Sequence, residues 1–223
     1  MQVSAAEGHR LWAPVYDSVP NPLLALESRI VRGLLQRTPR RIIDVACGTG
    51  RWASYFAQFG ATVYGVDNCE EMLAQAAKHC PLKGCLALAH AEHLPLRAGV
   101  ADLVICSFAA SYFSNLRQVL VEMARVSAPD GCVVVSDMHQ AAVAAGWSRS
   151  FRVNTARYEM ETVHYSTAEA QETAGTAGLR LLASLDLSFG EPERVIFERA
   201  GKQHSFADLS AIPAVWIGIW RKL

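Results

Sequence analysis

Two acids and a pair of glycines are the residues of this chain whose types and spacing could act together. Asp44 stands four residues ahead of Gly48-Thr49-Gly50, and Asp67 follows Gly50 by seventeen. The segment Gly48-Thr49-Gly50-Arg51-Trp52-Ala53 fits G-x-G-x-x-A, in which bare glycine backbone lets a ligand approach a turn closely. An acid closing the next strand can accept both hydroxyls of a ribose. The chemistry is therefore the holding of a nucleoside cofactor, and on these features alone a nicotinamide dinucleotide and S-adenosylmethionine fit equally well.

Such residues need strands to deliver them. Arg41 to Ala46 is an apolar strand that runs into the glycine turn, and a helix follows from about Arg51 to Phe59, closed by Gly60. Further strands are expected at about 62–67, 84–89, 101–107 and 132–136, with helices between them starting near Asn68 and Asn115. Before them, Pro22 opens a helix to about Gln36, stopped by Thr38-Pro39-Arg40, and Leu11 to Asp17 reads as an irregular arm. After them, residues 138–166 are mixed. A helix near 167–177 and two last strands, Leu179–Leu187 and Ala214–Trp220, complete the chain, with Gly190 to Arg194 turn-like between them.

Apolar strands alternating with helices predict an α/β fold, a mostly parallel sheet covered on both faces. The 223 residues fit a single domain. Its parts are an arm and helix (1–40), a cofactor-binding core (41–138), an insertion with its helix (139–178) and C-terminal strands (179–223). With 21 basic and 21 acidic residues the net charge is zero, which gives no electrostatic case for nucleic acid or a membrane surface as partner. There is no apolar run of the roughly 18 residues a spanning helix needs, and no signal-peptide pattern, so a cytoplasmic protein is expected. The six cysteines form no C-x-x-C pair and read as reduced core thiols.

Three features separate the two cofactors. Asp44 would crowd a pyrophosphate at the helix start, whereas a ligand carrying an ammonium and a sulfonium tolerates it. The run from Gly84 to Asp102 contains Ala91-Glu92 and Leu94-Pro95 between two strands. Arg125-Val126-Ser127-Ala128-Pro129-Asp130-Gly131 is the turn into the fifth strand. With these residues the chain resembles the class I S-adenosylmethionine-dependent methyltransferases, and most of all the small-molecule branch of the ubiquinone and menaquinone pathways. The resemblance covers residues 10–138 well and the rest loosely.

That resemblance implies a Rossmann-like seven-stranded sheet with an antiparallel last strand, and S-adenosyl-L-methionine as cofactor. It implies that Asp44, Ala46, Gly48 and Gly50 line the methionine part, with Cys47 packed in the same turn. Asp67 would hold the ribose, and Asn68 and Met72 would flank the adenine. Ala91 and Glu92 match the adenine-edge segment, and Ser107 and Phe108 the residues after the fourth strand. The sequence departs from the pattern at His90, where the family often has an acid reading the adenine amino group.

A methyltransferase needs a base only for some acceptors, so no catalytic motif is required. His139, after the fifth strand's Asp137, is a base candidate or a rim histidine, and Tyr16 could close over the cofactor or simply pack. Trp147, Phe151, Tyr158, His164 and Tyr165 lie where a substrate cap is expected and suggest a planar or apolar acceptor, with core packing the alternative. His90-Ala91-Glu92-His93 lacks metal-ligand spacing. Glu191, Glu193, Arg194, Glu198, Arg199 and Lys202 read as a solvated face or an oligomer rim, so a homodimer is a possible partner state. The expected function is methyl transfer to a small acceptor at oxygen, nitrogen or carbon. The rivals are a nicotinamide-type oxidoreductase, for which a Tyr-x-x-x-Lys constellation is missing, and a non-catalytic binding module of the same fold.

Overall fold

The computed structural model describes residues 1–34, 39–79 and 85–223. The expected end of the first long helix at Gln36, its stop at Thr38, and Cys80, Pro81 and Gly84 lie outside these. The described residues build a seven-stranded sheet in the order β4-β3-β2-β5-β6-β10-β9. Its strands are β2 (Arg41–Val45), β3 (Thr62–Asp67), β4 (Leu86–Leu88), β5 (Ala101–Ser107), β6 (Ser127–Met138), β9 (Leu179–Leu187) and β10 (Val215–Lys222). Strands β4 through β6 run parallel to their neighbours, and β10 pairs antiparallel with both β6 and β9. The expected mostly parallel sheet with an antiparallel last strand is thus found.

Alternation along the strands divides the core. Ile43, Val45 and Val104 pack on one face with α5 (Leu116–Val126) and α7 (Thr167–Thr176). Ile42, Leu103 and Ile105 pack on the other with α2 (Pro22–Leu34), α3 (Arg51–Ala57) and α8 (Glu191–Arg199). Both faces of the central strands are therefore dry, as near-continuous apolar strands require. Trp216 and Trp220 fill the first layer from β10, while Val215 and Ile217 fill the second.

The glycine turn lies where the sheet order reverses. Strand β2 has β3 on one side and β5 on the other. The chain entering α3 and the chain leaving β5 therefore diverge to opposite sides of one crevice.

Leu11 to Asp17 is not the irregular arm expected but the end of a helix and a 3-10 turn, and a strand precedes them. Gln2–Val3 (β1) pairs parallel with β8 (Ala156–Met160), which is hairpinned to β7 (Ser150–Val153) in a separate three-stranded sheet. Helix α1 (Ala5–Trp12) follows, capped where Ser4 Oγ accepts from Glu7 N, and a 3-10 turn occupies Ala13–Ser18. A two-residue strand whose partner lies some 155 positions away leaves no local pattern. The same sheet accounts for much of the mixed stretch, together with α6 (Gln140–Ala144).

The segment Gly190 to Arg194 opens a helix rather than a turn. Pro192 sits in the first turn of α8, where its missing N–H costs nothing. The Glu193 carboxylate accepts from Gly190 N at 2.9 Å and pairs with Arg29 of α2 at 2.9 Å. Glu193 is 1% exposed, so it does not belong to a solvated face. The helices α9 (Phe206–Ser210) and α8 close the layer with Phe197 against Phe206.

Candidate cofactor and acceptor site

The turn after β2 is shaped by positive φ angles at Ala46 (53°), Gly48 (55°) and Gly50 (82°). A side chain on Gly48 would meet no atom within 4 Å, so its bare backbone faces open space. That space is a cleft with about 860 Å³ of empty volume, its mouth included. Ala46, Gly48, Asp67, Asn68, Met72, Ala91, Glu92, Ser107 and Phe108 all line it, and they are nine of the twelve cofactor positions expected from sequence.

The other three lie nearby. Asp44 and Cys47 border a smaller polar cavity with Thr49, Arg51, Trp52 and Leu24. Tyr16, Ala46, Gly48 and Ser107 border both spaces. Gly50 lines neither; it carries the left-handed bend that starts α3.

The two acids are held by backbone. Asp67 accepts from Gly48 N at 2.7 Å with one oxygen and from Cys69 N at 2.9 Å with the other. A carboxylate has about four lone-pair sites, so Asp67 keeps acceptor capacity for a ribose hydroxyl. Asp44 is 2% exposed and accepts from Ala53 N at 3.0 Å, which satisfies a free amide in the first turn of α3. Burial pushes its carboxyl up to about 7, and only partly do Arg51 and that amide pull it back.

The charged groups at the small cavity include residues that the sequence did not single out. Arg51 donates to Ser107 Oγ at 2.6 Å and to Ser28 Oγ, and lies 2.8 Å from Glu27 Oε2. Glu27, fully buried on α2, accepts from Ser107 and Ser136 at 2.8 Å each and from Trp52 Nε1 at 3.3 Å. Thr49 Oγ1 donates to Asp17 at 3.2 Å and so ties the arm to the turn. The one available signal was Glu27 itself. It occupies an apolar-stripe position between Leu23 and Ile30, where a charge requires a buried partner.

Tyr16 sits at the junction of cleft and cavity, with burial raising its phenol. His9 also lines the cleft, from the unexpected α1, edge-on to Tyr112 at 4.6 Å. Burial, and then the Arg149 charge, lower its imidazole to about 4, so it is neutral at pH 7. His90 lines the cleft beside Ala91.

His139 lies outside both spaces. Its Nδ1 accepts from Ala141 N at 3.0 Å as the N-cap of α6, and its Nε2 is 3.3 Å from Asp186. Both ring nitrogens are engaged away from the cleft. The expected cap aromatics are mostly packing: Trp147 stacks on Phe189, and Phe151 lies between Trp12 and Tyr158. His164 and Tyr165 face a third, small cavity. The aromatic rings at the main cleft are Phe108, Tyr112, Phe113 and Tyr16.

This strand order, with the cleft at the glycine turn and an acid closing the next strand, is the fold of the class I S-adenosylmethionine-dependent methyltransferases. A crystal structure of such a protein from Mesorhizobium loti superposes with a TM-score of 0.71 at 19% identity, over 91% of this chain and 100% of that one. More narrowly, residues 43–135 match the family model described as a methyltransferase domain. Curated relatives include the demethylmenaquinone methyltransferase of Thermus thermophilus, 35% identical over 55% of this chain and 60% of that protein. They also include a malonyl-[acyl-carrier protein] O-methyltransferase of Geobacter sulfurreducens, 38% identical over 42% of this chain and 36% of that protein. The matched part of the chain spans only a quarter to three fifths of such relatives' length.

Proposed function

We propose that this protein transfers a methyl group from S-adenosylmethionine to a small acceptor with an aromatic or apolar body. The observation that carries the reading is the continuity of the cleft with the polar cavity through Tyr16, Ala46, Gly48 and Ser107. One end offers Asp67, an acid suited to a ribose, beside Met72 and Ala91, apolar surfaces suited to an adenine. The other offers Arg51 for a carboxylate and Asp44 for an ammonium. A nucleoside joined to an amino acid matches both ends. A pyrophosphate at the same turn would face Asp44, which counts against the dinucleotide reading.

When bound, the cofactor supplies an activated methyl on a sulfonium, so the chain's own work is alignment and exclusion of water. Tyr16 roofs the junction, and Phe108, Tyr112 and Phe113 give the acceptor a planar wall. His9 and His90 line the cleft and are the candidates to take a proton where the acceptor carries one; His139 faces away from it. The named relatives act on demethylmenaquinone and on malonyl-[acyl-carrier protein], two classes of acceptor. Both classes belong in the first acceptor screen.

The test is release of S-adenosylhomocysteine from S-adenosylmethionine in the presence of quinol-type and carboxylate acceptors. The reading expects turnover that depends on the acceptor. Cofactor binding without turnover on either class would favour a binding module.

A further inference from the structure

The end of the cleft that carries Tyr112 and Phe113 closes where two distant parts of the chain meet ring to ring. His9, on α1, stands edge-on to Tyr112 with 4.6 Å between ring centres, and both line the cleft. Neither ring is carried by the seven-stranded sheet. One reaches the cleft from the N-terminal helix and the other from the 3-10 turn Ala110–Tyr112. A third segment, β8 with residues 161–165 that leave it, is bonded to both.

The segment holds α1 first. Strand β8 pairs with β1 in the register Gln2↔Glu159 and Val3↔Met160, and Glu161 N donates to Val3 O at 3.0 Å. From β1 the chain enters α1 through its cap, Ser4. Gly8 is buried in α1 against Met160, and a Cβ there would run into Met160 Cγ and Sδ. Only a bare backbone lets the helix lie this close to the strand. His9 is the next residue, and one turn further Trp12 stacks on Phe151 of β7 at 4.8 Å.

A few residues later the same segment holds the opposite wall. Val163 N donates to Ser111 O at 2.9 Å, and the Tyr165 hydroxyl donates to Phe113 O at 2.7 Å. These two bonds bracket Tyr112. The ring spacing at the closed end is thus fixed by one stretch of chain whose bonds run to both sides.

We propose that β8 and its exit gauge the acceptor end of the cleft, setting through Gly8–Met160 packing and the Tyr165–Phe113 hydrogen bond the width of ring admitted between α1 and the Tyr112–Phe113 wall. This rests on the methyltransferase reading, in which that end takes the acceptor. Met160 and Tyr165 are positioning residues: they act through the backbone of α1 and of the wall. Methyl transfer depends on alignment to within about an ångström, so a shift of either wall changes which acceptors react.

Phenol and 2-naphthol, one ring and two, test this when titrated by ligand-observed NMR with and without S-adenosylhomocysteine. The His9 ring C–H signal, which senses the Tyr112 ring, adds a readout independent of turnover. Tyr165→Phe removes one hydrogen bond and keeps the ring. It should move the His9 signal and raise the affinity ratio of 2-naphthol to phenol about threefold, within the worth of that bond, with S-adenosylhomocysteine affinity kept. A merely structural Tyr165 would lower the thermal midpoint and leave signal and ratio alone. Gly8→Ala should also change both readouts. Adding Met160→Ala, which removes the two obstructing atoms, should return them toward those of the unaltered protein. If either Tyr165→Phe or Gly8→Ala leaves both signal and ratio unchanged, or if the unaltered protein binds neither probe, the proposal fails. If S-adenosylhomocysteine does not bind, the methyltransferase reading fails instead, and the titrations without it still decide the gauge.

Discussion

Ser107 Oγ, at the end of the strand that borders the cleft, donates a 2.8 Å hydrogen bond to Glu27 Oε1 on helix α2. Through the same carboxylate Ser136 and Trp52 are tied in, and Arg51 is paired. One buried acid thus fixes the helix, the glycine turn and two strand ends relative to one another. Glu27→Ala leaves Arg51 without its charge partner in the interior and should cost about 3–5 kcal/mol. Glu27→Gln keeps the shape and should cost less. Both should weaken cofactor binding, because Arg51 and Ser107 lose their anchor. Urea unfolding midpoints and calorimetry check the two effects; a cofactor affinity unchanged in a folded Glu27→Gln would contradict the link.

Asp44 sets a pH dependence whose sign follows from its burial. Its folded value, about 7, lies above the ordinary 3.8, so the folded protein holds a proton that the unfolded chain gives up between these values. The group therefore weakens stability as pH rises from about 4 to 7, and not above. A bound ammonium favours the ionised form, so cofactor affinity should rise with pH through about 7 and then level. Asp44→Asn should flatten that rise and lower the affinity at pH 8. An affinity independent of pH between 5 and 8 in the unaltered protein would show that Asp44 does not meet the ligand.

His139 gives a contrasting expectation. As N-cap of α6 its loss should cost about 1 kcal/mol of stability, with turnover near that of the unaltered protein. His9→Gln, which keeps the fold of α1 but removes the imidazole from the cleft, should lower turnover without a matching loss of cofactor affinity. A comparison of initial rates for the two variants decides between them.

The parts of the structure legible in the sequence are those set by local pattern. The apolar strands, the Gly48-Thr49-Gly50 turn and the strand end at Asp67 are each encoded in a short local stretch, and their geometry follows from backbone rules. Helix α8 was obscured because Gly190 and Pro192 are turn residues by frequency, yet Pro192 also suits the first turn of a helix. Strand β1, helix α1 and the role of Glu27 depend on partners far away in the chain: Met160, Met72 and Ser107. His139 is the reverse case. Its place after a strand end made it a base candidate or a rim histidine, and the residues that follow begin a helix that uses its ring as a cap.

Calorimetry with S-adenosylhomocysteine on the unaltered protein and on Asp67→Ala tests the account most directly. Asp67 ties the turn to the next strand and lines the cleft as an acid suited to a ribose diol. The account predicts measurable binding that weakens by roughly 100-fold or more in Asp67→Ala, as expected when two charge-assisted hydrogen bonds are lost. No binding by the unaltered protein, or equal binding by a folded Asp67→Ala, would contradict it.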